Sequence, residues 1–508
     1  MPRTLPPNRS TKGCWTCRIR HRKCDESLPT CKECTDRHLH CHGYGPKPGW
    51  VDDPSALHKE LKSIKRNVKS NFCRNKLQNA RRCPPDSDLP SSPQYHEASL
   101  APSKTQTSNS TVQSTFREAQ LLVHYLDYIF PLQFPYYVDN PDLGGRGWLF
   151  WLLTKKGPLR QAALTLSALH QYTESRDKTE KAEEELLQYH INAMQELRQV
   201  LRRHEVDGFA DHREQLMEFM SCGTALISFE VFQGGTGNWG PHLNALTSIV
   251  CQMNPVDFDT DRDGQVGTDA TSLRDIVPAW RFLVCNLLWF DILACASTGT
   301  PPRLPYREWL TLKDMDISCV MGCQNWAMIA IGDAAALCAK ADTLDVKELR
   351  SQAKAIATRM WEGIDVLNSS SEPALHHISH YVTRVFADAT LIQLHTIAPD
   401  MHSFASDIHQ VIERVIRAIK NIPKGVSLRG LTWPICVAGS MAQPDQQPFF
   451  ENLMGDIMGG SGLRYSNCGT VLRIMRHCWR NPVTGCFSGC DTTLTRAMAE
   501  MGICALLV

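Results

Sequence analysis

The sequence predicts a small metal-stapled head and a large all-α body, joined by a linker that does not fold. Three observations carry this. Six cysteines, Cys14, Cys17, Cys24, Cys31, Cys34 and Cys41, follow one another at gaps of two, six, six, two and six residues. Residues 83–115 are rich in Ser, Thr, Pro and Gln and almost empty of large aliphatics, so they cannot bury enough surface to fold. From residue 116 onwards apolar residues recur at helical spacing, and alternating strand patterns bounded by hairpin turns are scarce.

The N-terminal stretch, residues 1–12, is a flexible lead without an apolar core and is not a secretory signal. The chain has 508 residues, 43% of them hydrophobic and 21% charged, which allows a sizeable core. The longest apolar run, "FLVCNLLWF", is cut at Asp291 and reads as too short to span a bilayer. An intracellular, soluble chain with no membrane partner is expected. In a reducing compartment 21 cysteines point to metal ligands and buried thiols rather than to disulfides. The net charge of +1 hides an asymmetry. Residues 1–82 hold 19 Lys and Arg against 7 Asp and Glu, leaving 35 against 46 in the remainder. A basic head on an acidic body suggests a polyanionic partner for the head.

The head, residues 13–42, contains two copies of C-x2-C-x6-C, "CWTCRIRHRKC" and "CKECTDRHLHC". A structural zinc takes four tetrahedral ligands, often thiolates at this short spacing. Two such ions need eight positions, which six sulfurs supply if two of them bridge. A one-zinc ribbon on the two CxxC pairs is the plainer alternative, with Cys24 and Cys41 as ordinary buried thiols. It does not explain why both halves end in a cysteine after the same gap. His21, His38, His40 and His42 are read as solvent-facing, because the sulfurs alone satisfy two ions.

Either site would stabilise a segment too small to fold on its own core. The gap in the first half carries Arg18, Arg20, Arg22 and Lys23 with no acid, whereas "TDRHLH" in the second is nearly balanced. A short helix starting near Cys14 would present these bases to the major groove of double-stranded DNA, where Arg and Lys donate to guanine and neighbouring bases anchor phosphates.

Spacing, basic run and the "CDESLPTC" segment together resemble the fungal six-cysteine binuclear zinc cluster of transcription factors. The resemblance implies two structural Zn(2+) ions, with Cys14 and Cys31 bridging. Cys17 and Cys24 would complete one site, and Cys34 and Cys41 the other. Pro29 falls where the family often has a proline between the halves. In the family the bases between the second and third cysteines typically read CGG-like triplets, which here implies Arg18, Arg20, His21, Arg22 and Lys23. His21 departs from the lysine or arginine found there in many members.

Residues 43–82 form a Gly/Pro-bearing connector, "HGYGPKPGWVDD", followed by a basic helix. Residues 55–82 hold nine Lys or Arg and the single acid Glu60. Leu57, Leu61, Ile64 and Val68 could form the seam of a short coiled coil, and hence a homodimer, but two heptads are too few to establish it. Lys62, Lys65, Arg66 and Lys69, with Arg81 and Arg82, suit a nuclear import signal or phosphate contacts. The favoured reading is nuclear signal plus phosphate contacts.

Residues 116–508 are read as an all-α globule of ten or more helices. Leu187, Ile191, Met194, Leu197 and Leu201 form one stripe. Ile408, Val411, Ile412, Val415, Ile416 and Ile419 form a cleaner one, stopped by "NIPKG". This body resembles the fungal-specific regulatory domain that often follows the zinc cluster, through stretches such as "HYLDYIFPLQFPYY", "STGTPPRLPY" and "LRGLTWPICVAG" spread over residues 124–480. The resemblance implies a large all-α helical regulatory domain without established catalytic residues.

Three other patterns lead nowhere catalytic. Asp259, Asp261, Asp263 and Gly264 imitate a calcium loop, but Ala270 stands where the bidentate glutamate belongs. Gly235, Gly237 and Gly240 have dinucleotide-loop spacing without the preceding strand, and read as an interhelical loop. Cys319/Cys323 and Cys486/Cys490 are read as buried thiols. No HExxH, G-x-S-x-G or Walker pattern occurs.

The expectation is therefore a non-enzymatic, nuclear, DNA-binding regulator of RNA polymerase II transcription, specific to a pathway such as a biosynthetic gene cluster. Its body would meet the transcription machinery, and a small-molecule effector is compatible with it. The rival is a zinc-stabilised protein-interaction factor recruited to chromatin without sequence readout of its own.

Overall fold

The computed structural model describes residues 13–20, 24–28, 30–35, 39–51, 64, 116–139, 145–175, 178–204, 208–209, 212–253, 270–369, 377–398, 408–459, 465–481 and 493–508. The chain divides into two units, Met1–Asn109 and Ser110–Val508. Among the described residues there is no strand. The first unit contains two short helices, α1 (Trp15–Ile19) and α2 (Lys32–Thr35).

In the second unit the helices of eight residues or more are numbered on from these. α3 (Phe116–His124), α4 (Gly147–Thr154), α5 (Pro158–Glu174) and α6 (Glu180–Arg203) come first. α7 (Arg213–Phe232), α8 (Trp239–Val250), α9 (Ala270–Thr298) and α10 (Asn325–Cys338) follow. α11 (Val346–Ser369), α12 (His377–Ile397), α13 (Ile408–Lys420) and α14 (Thr432–Ser440) come next. α15 (Gln447–Gly459), α16 (Cys468–Arg480) and α17 (Thr493–Glu500) close the chain. α5 packs on α3, α6 and α7. α7 packs on α8 and α9, and α9 on α10. α10 packs on α11 and α12, and α12 on α13 and α14.

Local sequence explains where these helices begin and stop. α5 opens with Pro158, whose missing N–H costs nothing in the first turn. Thr179 caps α6 by accepting from Ala182 N, with Glu180 and Glu183 in the first turn and Arg202 and Arg203 in the last. α13 ends before Pro423 and Gly425, as the "NIPKG" signal predicts. Its Val411, Ile412, Val415, Ile416 and Ile419 are buried. The stripe read on α6 is half right. Leu187 and Ile191 are 47% and 36% exposed, and the buried side is Leu186, Ala193, Leu197 and Val200, with Met194 and Leu201 partly covered.

α9 runs through the core. Phe282 meets Phe130, Phe134, Tyr137 and Trp148, while one further stretch along Trp289 meets Phe386, which stacks on Trp433 of α14. The apolar run is longer than the sequence suggested. Val277–Thr298 has 22 residues at a mean hydropathy of 1.5, enough to cross a membrane by length and composition. It is 94% buried inside the body, as a core helix would be. Asp291 does not interrupt it, because its carboxylate accepts from Arg303 N (2.8 Å) and Leu304 N (3.0 Å). Burial nevertheless pushes the Asp291 carboxyl above its ordinary range.

Gly235 and Gly237 lie in the loop between α7 and α8, as expected, whereas Gly240 falls in the first turn of α8. The loop's purpose is visible at Gly235, where φ is 71° and Leu506 N donates to the Gly235 carbonyl at 2.9 Å. A Cβ there would stand 2.8 Å from the Leu506 oxygen. Asn467 Nδ2 holds the same tail through Leu506 O (2.9 Å) and Val508 O (3.1 Å). Cys323 is buried, but Cys319 is exposed and directs its thiol to Asp316. The calcium-like residues 259–264, Cys486 and Cys490 lie outside the described residues.

Candidate metal centre and nucleic-acid interface

The two halves of the head repeat one local arrangement. Cys14 precedes α1 and its sulfur accepts from Cys17 N at 3.4 Å, while Cys31 precedes α2 and its sulfur accepts from Cys34 N, also at 3.4 Å. Each CxxC thus wraps a helical turn around a sulfur, so that main-chain N–H groups already favour negative charge there. The halves meet at their first cysteines. Cys14 and Cys31 sulfurs are 3.6 Å apart, Cys14 and Cys34 3.8 Å, and Cys17 and Cys31 3.7 Å.

Two groups of four sulfurs each lie within 4.8 Å of one another: Cys14, Cys17, Cys24 and Cys31, and Cys14, Cys31, Cys34 and Cys41. Cys14 and Cys31 belong to both. A tetrahedral zinc with Zn–S of about 2.3 Å has sulfur edges of about 3.8 Å, so the spacing fits that ion. The thiols also need a cation. Burial pushes the Cys17 thiol up to about 12, and pushes Cys14 and Cys34 up as well. Burial is the largest influence at Cys24 and Cys41 too and opposes ionisation, but backbone N–H donors and side-chain hydrogen bonds together outweigh it and their shift is downward. Thiolates packed this closely need a dication between them.

The surroundings hold the sulfurs in place through residues that the spacing did not reveal. Gly13 passes so close to the cluster that a Cβ would stand 2.9 Å from Cys24 Cβ. The Tyr44 hydroxyl donates to Ser27 O at 2.8 Å and lies 3.7 Å from Cys24 sulfur. Asp25 accepts from Lys32 N (2.9 Å) and Ser27 Oγ, tying the inter-half loop to the start of α2. In that loop Glu26 takes the left-handed φ of 60°.

The connector after Cys41 folds back onto α1. Trp15 N donates to Gly43 O (3.0 Å), its indole to Gly45 O (2.8 Å), and Thr16 Oγ1 to His40 O (2.9 Å) while accepting from His42 N (3.0 Å). His40 is exposed as expected, but the His42 ring is half-buried with Nδ1 2.9 Å from Thr16 Oγ1. Ile64, read as a seam position, is only 5% exposed and belongs to the head's buried cluster with Leu39 and five cysteines.

The predicted base-reading group divides. Arg18 is exposed on α1, its guanidinium 4.0 Å from the Trp15 ring centre. Arg20 pairs with Glu33 of α2 at 3.6 Å, bracing one half against the other. His21, Arg22, Lys23, Pro29 and His38 lie outside the described residues, as do Lys62, Lys65, Arg66, Lys69, Arg81 and Arg82.

Comparison with known proteins adds to this geometry. Residues 120–491 match the fungal specific transcription factor domain. The chain belongs to that family. Residues 12–50 match the fungal Zn(2)-Cys(6) binuclear cluster domain, which binds two zinc ions, so the all-helical regulatory body follows a zinc-cluster DNA-binding head.

Similar proteins include the pestheic acid cluster transcriptional regulator 3 of Pestalotiopsis fici, 27% identical over 87% of this chain and 90% of the relative. The trichothecene biosynthesis transcription regulator TRI10 of Trichoderma arundinaceum is 29% identical over 72% of this chain and 89% of its own. The ustiloxin B cluster transcription factor ustR of Aspergillus flavus is 24% identical over 93% and 94%. No solved structure matches the chain.

Proposed function

We propose that the protein is a nuclear, sequence-specific DNA-binding regulator of RNA polymerase II transcription that controls a biosynthetic gene cluster. The observation that carries this reading is the pair of four-sulfur sites sharing Cys14 and Cys31, directly beneath a helix that exposes Arg18. Cys17 and Cys24 complete one zinc site, and Cys34 and Cys41 the other. The zinc ions are structural and give a head of this size the rigidity that its own apolar residues cannot.

Arg18, His21, Arg22 and Lys23 then read CGG-like triplets in the major groove of double-stranded DNA, with Arg20 bracing α1 against α2. The basic residues after the head supply phosphate contacts and the nuclear signal. The relatives named for biosynthesis or cluster control support the pathway assignment.

The test is selection by the zinc-loaded full-length protein from a random duplex pool, followed by sequencing of what it retains. CGG-like triplets should be enriched, and a fixed spacing between paired triplets would indicate a homodimer, single triplets a monomer. A folded, zinc-loaded sample that retains DNA without enriching any sequence would sink the readout claim. It would favour recruitment to chromatin through protein contacts, with phosphate-driven, salt-sensitive binding.

A further inference from the structure

A pocket in the acidic body is lined by three arginines and a histidine and by no aspartate or glutamate. It has a volume of about 240 Å³ and lies where three helices meet. Asn368 comes from the end of α11, His380 and Arg384 from α12, Arg414 and Arg417 from α13, and Asn421 from the residue after α13's last turn. Two of the arginines are set from behind. Asp388, 0% exposed, accepts from Arg384 Nε at 2.7 Å and from Arg414 Nη2. Asn368 Oδ1 accepts from Arg384 Nη1 at 3.0 Å, and the Arg414 guanidinium lies 4.0 Å from the Trp361 ring centre.

Asp388 neutralises one of three guanidiniums, which leaves two positive charges facing the cavity. Arg417 is exposed and forms no ion pair among the described residues. Residues 83–508 carry 46 acids against 35 bases, so this concentration of cations runs against the composition around it. Holding like charges together has a cost, visible at Arg414. Burial first, then its two arginine neighbours, hold its guanidinium below the ordinary range despite Asp388. An anion in the pocket relieves that repulsion.

We propose that this pocket binds a small phosphate-bearing ligand, and that the bound ligand ties α11, α12 and α13 together. Planar guanidinium forks match tetrahedral phosphate oxygens through paired N–H donors. Asn368 and Asn421 add neutral amides at the rim, and the volume suits a compact metabolite rather than a polymer. The proposal concerns the body alone and does not depend on which DNA the head reads.

The experiment is calorimetric titration of the zinc-loaded full chain with inorganic phosphate, and separately with citrate, at ionic strength matched with chloride. Saturable phosphate binding is expected, accompanied by a rise in the thermal midpoint. Arg417→Gln, at an exposed residue that does not touch Asp388, relieves part of that repulsion, so it should not lower the ligand-free midpoint and should weaken phosphate binding about tenfold. Asn421→Ala serves as the second variant and should weaken it too. Absence of phosphate binding, binding unchanged in both variants, or binding of citrate alone would each overturn the proposal.

Discussion

At the scale of single residues, the head depends on which sulfur sits where. Cys14 and Cys31 fall in both four-sulfur groups, whereas Cys24 falls in one. Cys14→Ser should therefore cost the protein both zinc ions, while Cys24→Ser should leave one site complete. Native mass spectrometry of the two variants would read this directly, and equal zinc content in both would contradict the shared-sulfur arrangement. The cysteines were legible because ligand spacing is written locally, within one or two turns of chain. Gly13, Tyr44 and Asp25 were not, since each acts on a partner brought close only by folding. Arg20 shows the same limit. In the sequence it is one base in a basic run, and only its contact with Glu33 across the two halves distinguishes it from Arg18.

At the scale of elements, the amphipathic stripes were read correctly where the inner face is made of large aliphatics, as on α13. On α6 the inner face includes Ala193, which leaves a gap in the aliphatic pattern, and the exposed Leu187 and Ile191 drew the stripe about a quarter-turn off. Buried carboxylates were equally hidden. Asp291, Asp333 and Asp388 each sit in a helix interior, and a charge there reads as a surface position until its partners are seen. Asp333 accepts from the Tyr306 hydroxyl at 2.7 Å and from Arg307 and Arg359 at 2.6 Å each, pinning a short turn and α11 to α10.

The α7–α8 loop makes a prediction at this scale. Gly235→Ala places a side chain at positive φ and against the Leu506 carbonyl, so the C-terminal tail should detach from the loop. A loss of roughly 1–3 kcal/mol is expected in urea unfolding of the body. Faster amide exchange at Leu506 should accompany it. An unchanged exchange rate there would mean that Asn467 alone holds the tail.

At the scale of the whole molecule, the body carries histidines that resist protonation. His170 and His242 are both pushed down to about 4, chiefly by burial. His124, 3.2 Å away, and Arg429 add to the effect at His170, and His190 adds to it at His242. The unfolded chain takes up these protons near the ordinary histidine value of 6.5, and the folded body does not. The stability they contribute is therefore complete above about 6.5 and is lost as the pH falls towards 4. Calorimetry of the body's transition should show a midpoint that falls across this window. His242→Gln should make the fall shallower, and an equally steep fall in the variant would assign it to other groups.

The fold class itself was legible at this scale, because helical periodicity persists over most of the chain after residue 116. Pairing among the helices was not, since the contacts that join α9, α12 and α14 link residues far apart in the chain, Trp289 to Phe386 and Phe386 to Trp433.

The buried thiols of the body have a practical consequence. Cys222, Cys285, Cys323 and Cys436 are shut away from solvent, and burial raises each thiol's pKa, whereas Cys251, Cys319 and Cys504 stand exposed. An alkylating reagent added to the native protein should modify the exposed group first. It reaches the buried group only when the surrounding helices open. Timed alkylation with peptide mapping would thus rank the openings of α7, α9 and α14, using labels that the sequence already contains.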